Sequence, residues 1–397
     1  MAVYLDHAAS TPMLPEARSA MLEESTRTGN ASSLHTAGRR ARRVVEESRE
    51  LLAEALGARP SEVVFTSGGT EADNLAVKGL FWARHEADPR RSRILVGAIE
   101  HHAVLDAVEW LVRHEGAEVT WLPVDRLGRL DVAAAERAVA TDPASVALIT
   151  VMWANNEVGT LQPVEDIVAL ATRYGIPVHS DAVQAVGHLP VDFGAVGLDA
   201  MTVSGHKTGG PLGAGALLLR RGAVPVALLH GGGQEGGLRS GTLATPLVLG
   251  LATAVGQAVA EREALARRLT GLSERLVRAV LSRVPDAVLR GDPDPSRRLP
   301  GIVHLTFPGC EGDSLLYLLD ARGIECSTGS ACQVGLPRPS HVLLAMGVDE
   351  DDARGALRFS LGHTSTRADV DALADAIAPV VDRARRAGLV GAVRPAS

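Results

Sequence analysis

The chain alternates short apolar runs with amphipathic stretches between about residues 60 and 220. The runs are rich in valine, isoleucine and leucine: EVVFTS at 62–67, RILVGAI at 93–99, EVTWLPV at 118–124, SVALITVMWA at 145–154, IPVHSDAV at 176–183, DAMTVS at 199–204 and GAGALLLR at 213–220. Two intervening segments, at 101–116 and 164–175, carry apolar residues at helical spacing. This alternation predicts a mostly parallel seven-stranded sheet covered by helices on both faces.

A different pattern follows the glycine-rich HGGGQEGGLRSGT at 230–242. It predicts a long helix at about 246–284, strands at 301–307 and 356–362, and helices at 311–323 and 366–386. The change of pattern predicts two domains. The large α/β domain spans 15–250, and a smaller α+β domain combines 1–14 with 251–397.

Composition excludes several classes of protein. With 397 residues and 46% hydrophobic content, the chain is too long and too apolar to be disordered. A net charge of −7 gives no strong attraction to nucleic acid, no apolar run has bilayer length, and the N-terminus has no signal-peptide pattern. Three cysteines, Cys310, Cys326 and Cys332, are too few for a disulfide framework or a four-cysteine zinc site. We therefore expect a cytoplasmic protein with no metal site, no direct nucleic-acid partner and no membrane contact.

Lysine is rare in this chain. Its 40 basic residues include lysine only at Lys78 and Lys207, and all the others are arginine. An amine can lose its proton and attack a carbonyl carbon, which a guanidinium group cannot do. Lys207, in VSGHKTGG, is therefore a candidate Schiff-base lysine, although chance survival of two lysines explains the pattern equally well. Lys78 is interpreted as a helix-surface cation.

A possible anion site lies in FTSGGTEADNLAVKG at 65–79, which predicts a strand, a Gly68-Gly69-Thr70 turn and a helix. Glycines let backbone amides approach an anion at the helix N-terminus, and Thr70 adds a hydroxyl donor. An ordinary turn with Thr70 as the helix cap is the alternative.

Other polar residues follow predicted strands, where ligands collect in parallel sheets. They are His101 and His102 after 93–99, Asn155 and Asn156 after 145–154, and Asp181 and Gln184 at the end of 176–183. A buried aspartate needs a partner, and a protonated heteroaromatic nitrogen is a suitable one. A Schiff-base lysine, an anion turn and a buried carboxylate are together what pyridoxal phosphate requires.

An ordered set of motifs resembles one known family. The motifs are YLDHAAST at 4–11, SGGTEADN at 67–74, EHHAVL at 100–105, NNEVGT at 155–160, HSDAVQA at 179–185, SGHK at 204–207, RSGT at 239–242, STGSAC at 327–332 and RFSLG at 358–362. Their order is similar to that in the cysteine desulfurases of the NifS and IscS type, which belong to the fold type I, class V aminotransferase superfamily. The resemblance covers nearly the whole chain.

The resemblance implies a role for each matched residue. Lys207 would carry pyridoxal phosphate as a Schiff base, Asp181 would pair with the pyridine nitrogen, and His101 would stack on the ring. The remaining cofactor contacts implied are the ring-hydroxyl neighbours Asn155 and Gln184, the phosphate ligands Gly69, Thr70, Ser204 and His206, and Thr242 from the second subunit of a homodimer.

The resemblance also implies the reaction. Cys332, in a glycine-containing loop, would be the nucleophile that takes sulfur from L-cysteine, leaving a persulfide and L-alanine. Arg358 would bind the substrate carboxylate as a bidentate fork, and Asn30 and Asn155 would lie near the substrate. His101 would move protons. Cys326 is interpreted as a packing residue.

Sulfur acceptors and rival functions stay open at this point. The implied acceptors are an iron–sulfur scaffold protein, which the long form of the cysteine loop favours, and a tRNA-thiolation enzyme. DNA thiolation and cofactor thiolation are further destinations of the sulfur that the resemblance allows. The alternatives of the same fold are an aminotransferase and a selenocysteine lyase. A non-catalytic sulfur-assembly scaffold is the alternative from another class, but it has no need of Lys207, Asp181 and Cys332 together.

Overall fold

The structure is a computed structural model that describes residues 2–329 and 339–392. Within these residues the strands are β1 (Val3–Tyr4), β2 (Val63–Thr66), β3 (Arg93–Gly97), β4 (Glu118–Leu122), β5 (Val146–Thr150), β6 (Val178–Asp181), β7 (Ala200–Ser204), β8 (Gly215–Leu219), β9 (Val288–Arg290), β10 (Ile302–Thr306), β11 (Ile324–Glu325) and β12 (Ala356–Ser360). The helices are α1 (Pro15–Ser25), α2 (Thr36–Ala55), α3 (Gly69–Ala87), α4 (His102–Glu115), α5 (Val132–Thr141), α6 (Val164–Thr172), α7 (Phe193–Val196), α8 (Thr245–Arg283), α9 (Gly312–Asp320), α10 (His341–Ala345), α11 (Glu350–Arg354) and α12 (Arg367–Ala392).

The main sheet has seven strands in the order β2-β8-β7-β6-β5-β3-β4. Pairs β3–β4, β3–β5, β5–β6 and β6–β7 are parallel, whereas β8 is antiparallel to both of its neighbours. Because β8 alone is reversed, strands β2, β3, β5, β6 and β7 all end at the same edge of the sheet. Polar residues that follow these strands are thereby brought together.

Helices cover both faces of this sheet, as the continuous apolar runs predict. On one face, α3 and α4 contribute side chains such as Leu75, Phe81 and Val108 to a buried cluster. On the other face, α2, α6 and the first part of α8 pack against a second cluster, to which Leu52 and Leu251 belong. Burial on both faces explains why β5, VALIT, is apolar at nearly every position.

A separate apolar core surrounds the antiparallel sheet β12-β10-β9. The later part of α8 contributes Leu269 and Leu276 to this core, and α9 and α12 pack around it. One helix therefore supplies residues to both cores, and the predicted domain boundary at 250/251 lies inside it. The division into 15–250 and 1–14 with 251–397 stays a prediction.

Three short strands had no sequence prediction. β1 and β11 have two residues each and pair in parallel, and β9 has three. Segments this short carry too few side chains to show a period, so tertiary pairing alone defines them. Across the part of the chain that the structure describes, no helix combines enough length and apolar character to cross a bilayer.

Candidate active site

The polar ends of the parallel strands enclose a cleft of about 390 Å³. Its lining includes residues that follow β2, β3, β6 and β7, together with Arg358 on β12. The predicted site residues in this lining are Gly69, Thr70, His101, Asp181, Gln184, Ser204, His206, Lys207 and Arg358. Residues separated by almost 300 positions in the sequence are thus brought together by the sheet.

The N-terminus of α3 faces this cleft without a side-chain cap. The N-cap residue is Gly68, with φ 152°, which has no side chain to accept from the N–H groups of the first turn. A Cβ on Gly69 would lie 3.1 Å from the Val183 Cγ2 atom and 3.4 Å from the Ser204 Cβ atom, so a side chain there would narrow the space. Nearby, the His206 Nδ1 atom is buried and has no hydrogen-bond partner in the described part of the chain. This corner offers several free donors to an anion.

Lys207 lies in the single 3-10 turn that follows β7. Its Nζ atom donates hydrogen bonds to the carbonyl oxygens of Ala8, at 2.6 Å, and Ala9, at 2.8 Å. Burial lowers the pKa of the amine to about 8, and the positive charge of Arg358 adds to this shift. The amine is therefore much more readily deprotonated than an exposed lysine.

Asp181, the last residue of β6, is almost fully buried. The Val183 backbone N–H donates to its Oδ1 atom at 2.8 Å. Burial raises the pKa of this carboxyl to about 6, although the Val183 hydrogen bond and the Lys207 charge oppose the shift. Gln184 lies beside it, and its Nε2 atom donates to the Ala8 carbonyl at 2.9 Å.

His101 precedes α4 and serves as its N-cap. Its Nδ1 atom accepts a hydrogen bond from the Ala103 backbone N–H at 3.1 Å. Burial lowers the pKa of the ring to about 4, with the Lys207 charge as the next cause. The neutral ring therefore carries its proton on Nε2, because Nδ1 acts as the acceptor.

Arg358 enters the cleft from β12 and is nearly fully buried. It donates from Nη1 to the Asn156 carbonyl and from Nη2 to Asp6 Oδ1, both at 2.9 Å. Its Nε atom is buried, and no described residue is hydrogen-bonded to it. The guanidinium group is thus held on two sides and keeps a free donor.

Three predicted residues do not line the cleft. Asn155 is fully buried, and its Oδ1 atom accepts from the Glu157 and Val158 N–H groups at 2.9 Å. Asn30 is exposed, and its Oδ1 atom accepts from the N–H of a nearby loop residue. Thr242 is exposed in the segment before α8. The cofactor and substrate contacts of these residues stay predictions.

Cys332 falls at 330–338, outside the described residues. On either side of that segment, Ser327, Gly329 and His341 line the cleft. Cys326 is largely buried, and burial, with the Asp6 charge as the next cause, raises the pKa of its thiol to about 12. Such a thiol is a poor nucleophile, which agrees with a packing role.

Sequence reasoning missed four acidic residues at the site, one of which, Glu157, lines the cleft and accepts a hydrogen bond from the Ser340 hydroxyl. Asp73 lines the cleft from α3, Glu100 precedes His101, and Asp6 pairs with Arg358. Asp73 and Glu100 are 1% exposed, and each has one carboxyl oxygen without a hydrogen-bond partner. Polar residues near a helix start or a strand end are common, so only the observed burial distinguishes these two.

Comparisons with known proteins identify the family. A family model described as "Aminotransferase class-V" matches residues 3–373. An IscS-like cysteine desulfurase of Mycobacterium tuberculosis is 59% identical over 389 residues, covering 98% of each chain. The chain belongs to the class V aminotransferase family.

Solved structures of this family have the same fold. A NifS-like protein is 35% identical, with a TM-score of 0.88, and the match covers 96% of this chain and 100% of that chain. SspA, solved in complex with cysteine, is also 35% identical, with a TM-score of 0.77 and coverage of 91% and 99%. The predicted fold type I architecture and the resemblance to cysteine desulfurases are confirmed.

Membership in the class V aminotransferase family also confirms the predicted cofactor, pyridoxal phosphate, and the predicted enzyme class of cysteine desulfurase. The residues present fit this cofactor on structural grounds. The uncapped α3 terminus and the unpartnered His206 Nδ1 atom match an anionic phosphate. The buried Asp181 carboxyl matches a protonated ring nitrogen, and the amine of Lys207 opens into the same cleft.

Proposed function

We propose that this chain converts L-cysteine to L-alanine and passes the sulfur to an acceptor protein as a persulfide. The observation that carries the proposal is the buried Lys207 amine, which shares one cleft with a buried carboxyl and an uncapped helix N-terminus. The relatives named as cysteine desulfurases and the neighbour solved with cysteine support cysteine as the substrate.

Lys207 is the proposed base. When bound, pyridoxal phosphate would serve as an electron sink for the substrate α-carbon. The freed Lys207 amine then removes the α-proton. Because its pKa is lowered to about 8, an appreciable fraction of the amine is neutral near neutral pH. The carbonyl groups of Ala8 and Ala9 orient its Nζ atom.

The proposed cofactor contacts divide into two groups. Asp181 holds the proton on the ring nitrogen, while Gln184 and Asn155 lie on the side of the ring hydroxyl. The proposed phosphate ligands are Gly69, Thr70, Ser204 and His206, with Thr242 of a second subunit completing the set in a homodimer. The free donors at the N-terminus of α3 support this assignment.

His101 and Arg358 are proposed to handle the substrate. The neutral His101 ring would stack on the cofactor. Its Nε2 proton would be available to the thiol group of the substrate. Arg358 binds the substrate carboxylate with the donors that remain free after its bonds to Asp6 and Asn156. Asn30 is proposed as a further residue near the substrate.

Cys332 is the proposed nucleophile. Its thiolate attacks the sulfur of the substrate, so that a sulfur–sulfur bond forms and the carbon–sulfur bond of the substrate breaks. The electron pair of the broken bond stays on carbon, which is protonated to give alanine. The acceptors that we propose for this sulfur are an iron–sulfur scaffold protein and a tRNA-thiolation enzyme, in the cytoplasm.

The deciding experiment measures alanine released from L-cysteine by the purified protein with bound pyridoxal phosphate and a reductant. We expect alanine and sulfide in equal amounts. Cys332→Ser should abolish persulfide formation and retain the absorbance of the bound cofactor. Cys326→Ser is the matched control and should keep alanine release within about threefold of wild type, because the buried Cys326 thiol has a pKa near 12.

Other outcomes separate the alternatives. Bound cofactor without alanine release, together with amino transfer to a keto acid, would identify an aminotransferase. Faster turnover of selenocysteine than of cysteine would identify a selenocysteine lyase. A protein that binds no cofactor would act as a scaffold, and the proposed reaction would be wrong.

A further inference from the structure

Three buried carboxyl groups lie close to the proposed ring-nitrogen site. Asp181 accepts a backbone hydrogen bond from Val183, and Glu100 Oε1 accepts one from Met152 N–H at 2.7 Å. Asp73 Oδ1 and Glu100 Oε2 are both buried, and neither has a hydrogen-bond partner within the described residues. Three uncompensated carboxylates in one apolar region would repel each other strongly, so they cannot all be ionised together.

A chain of polar side chains surrounds Asp73. The His179 Nε2 atom lies 3.5 Å from Asp73 Oδ1 and 3.0 Å from the Thr202 hydroxyl. The other ring nitrogen of His179 lies 2.9 Å from the Thr150 hydroxyl. Burial lowers the pKa of His179 to about 3, so this ring is neutral and supplies no positive charge to Asp73.

The same chain is adjacent to Asp181. Thr202 on β7 pairs directly with Asp181 on β6, and His179 lies two residues earlier on β6. Burial and the Asp181 charge raise the pKa of Asp73 well above its usual range, and the hydrogen bond to Thr202 opposes this shift. Asp73 therefore has the properties of a neutral carboxylic acid beside an ionised one.

We propose that Asp73, His179 and Thr202 form a positioning array that keeps Asp181 as the charged carboxylate facing the ring nitrogen of pyridoxal phosphate. The inference rests on the role proposed above for Asp181. Asp73 contributes as a neutral acid that is hydrogen-bonded to Thr202, and the His179 ring, which lies 3.5 Å from Asp73 Oδ1, orients the Thr202 hydroxyl. A second negative charge so close to Asp181 would favour protonation of Asp181 and weaken its hold on the ring.

Three titratable side chains interact with the charge of Asp181: Lys207, Asp73 and Glu100. Lys207 acts on it from the turn after β7, and its positive charge favours the ionised carboxylate. Asp73 on α3 and Glu100 after β3 are the nearby acids, and the pKa of each is raised by burial and by the Asp181 charge. On this arrangement Asp181 has both a cation and a backbone donor, whereas Asp73 has neither.

The test compares Asp73→Asn with Asp73→Leu in two measurements. One is the dissociation constant of pyridoxal phosphate for the cofactor-free protein, and the other is the pH midpoint of the bound-cofactor absorbance. Asp73→Asn keeps a neutral polar group, so both values should stay near wild type. Asp73→Leu removes the carboxyl group that is hydrogen-bonded to Thr202, and should weaken cofactor binding by about tenfold and shift the midpoint.

Two further variants separate positioning from general stability. Thr202→Val keeps the shape but removes the hydroxyl, and should shift the midpoint in the same direction as Asp73→Leu. Asp292→Leu removes another buried aspartate, one that does not line the cleft. It should lower thermal stability and leave the absorbance midpoint of the bound cofactor unchanged.

Two outcomes would overturn the array. A midpoint shift of about one pH unit or more in Asp73→Asn would mean that Asp73 is ionised. Unchanged cofactor affinity and midpoint in Asp73→Leu would mean that Asp73 only fills space. A wild-type protein that binds the cofactor but releases no alanine would contradict the proposed reaction alone, because the array is measured through the cofactor.

Discussion

Carboxylates differ in their hydrogen-bond pairing between the amino edge and the carboxyl edge of the seven-stranded sheet. At the amino edge, Asp199 precedes β7, and both of its oxygens are paired, one with Arg220 and one with the Val178 N–H at 2.9 Å. At the carboxyl edge, Asp73 and Glu100 each keep an unpartnered buried oxygen. Since an unsatisfied buried group costs stability, the carboxyl edge retains polar groups that the fold itself does not need.

The contrast shows which polar groups of the sheet are free to bind a ligand. The Arg220 side chain is about half exposed, so its ion pair with Asp199 is largely solvated. Arg358, at the other edge, is buried with its Nε atom free. Free donors and acceptors buried in a cleft interact strongly with a ligand, because water screens them less than it screens exposed groups. The following substitutions test this difference, from the largest expected effect to the smallest.

The two lysines provide the strongest test. Lys207→Arg keeps a cation in the cleft but removes the amine that can lose a proton, so alanine release should fall about a thousandfold or more. Lys78→Arg is the matched control, because Lys78 stacks on Trp110, 4.5 Å from the ring centre. It should leave alanine release within about twofold of wild type. Equal losses in both variants would contradict the role of Lys207.

Replacing an aspartate by asparagine should change the stability of the cofactor-free protein in opposite directions at the carboxyl edge and the amino edge of the sheet. Burial raises the pKa of Asp181 to about 6, so the native state favours the protonated carboxyl. The protonated Asp181 carboxyl therefore contributes to the free energy of unfolding in acid, and this contribution is lost as the pH rises from about 4 to about 6. Asp181→Asn should therefore stabilise the cofactor-free protein near pH 7.5, on the order of 2–3 kcal/mol, and have little effect near pH 3.5.

Asp199→Asn is the comparison for that measurement. Removing the charge weakens the bonds to Arg220 and the Val178 N–H, so this variant should lose about 1 kcal/mol at pH 7.5. Thermal or urea unfolding of both variants at the two pH values checks the prediction. Destabilisation by Asp181→Asn at pH 7.5 would show that the Asp181 charge is fully compensated without the cofactor.

The smallest effect is expected from exchanging arginine for lysine. Arg358→Lys removes the planar fork, and should raise KM for L-cysteine about tenfold while changing kcat less. Arg220→Lys, at the solvated edge, should leave both constants unchanged within about twofold. Steady-state alanine release across a range of cysteine concentrations measures both. An unchanged KM in Arg358→Lys would contradict the proposal that Arg358 binds the substrate carboxylate.

Sequence patterns predicted most of the cleft because parallel sheets impose a simple rule. Polar residues after buried strands had to converge at one edge, and His101, Asp181 and Lys207 do so. The pattern could not reveal the helix-borne Asp73, because one acidic residue in the first turns of a helix is ordinary. Asn155 also followed a strand, yet its side chain bonds to its own loop. The strand-end rule locates a backbone position and leaves the side-chain direction open.

By itself, the sequence determined the strands of the main sheet, several of the helices that cover it, the candidate lysine and the family, because these depend on local side-chain character and motif order. The tertiary structure alone decided which polar groups are buried and which have partners. It decided that Asp73 lies beside Asp181, that Asp6 holds Arg358, and that α8 serves two cores. The physical reason is that burial and pKa depend on neighbours from distant parts of the chain, which local pattern does not encode.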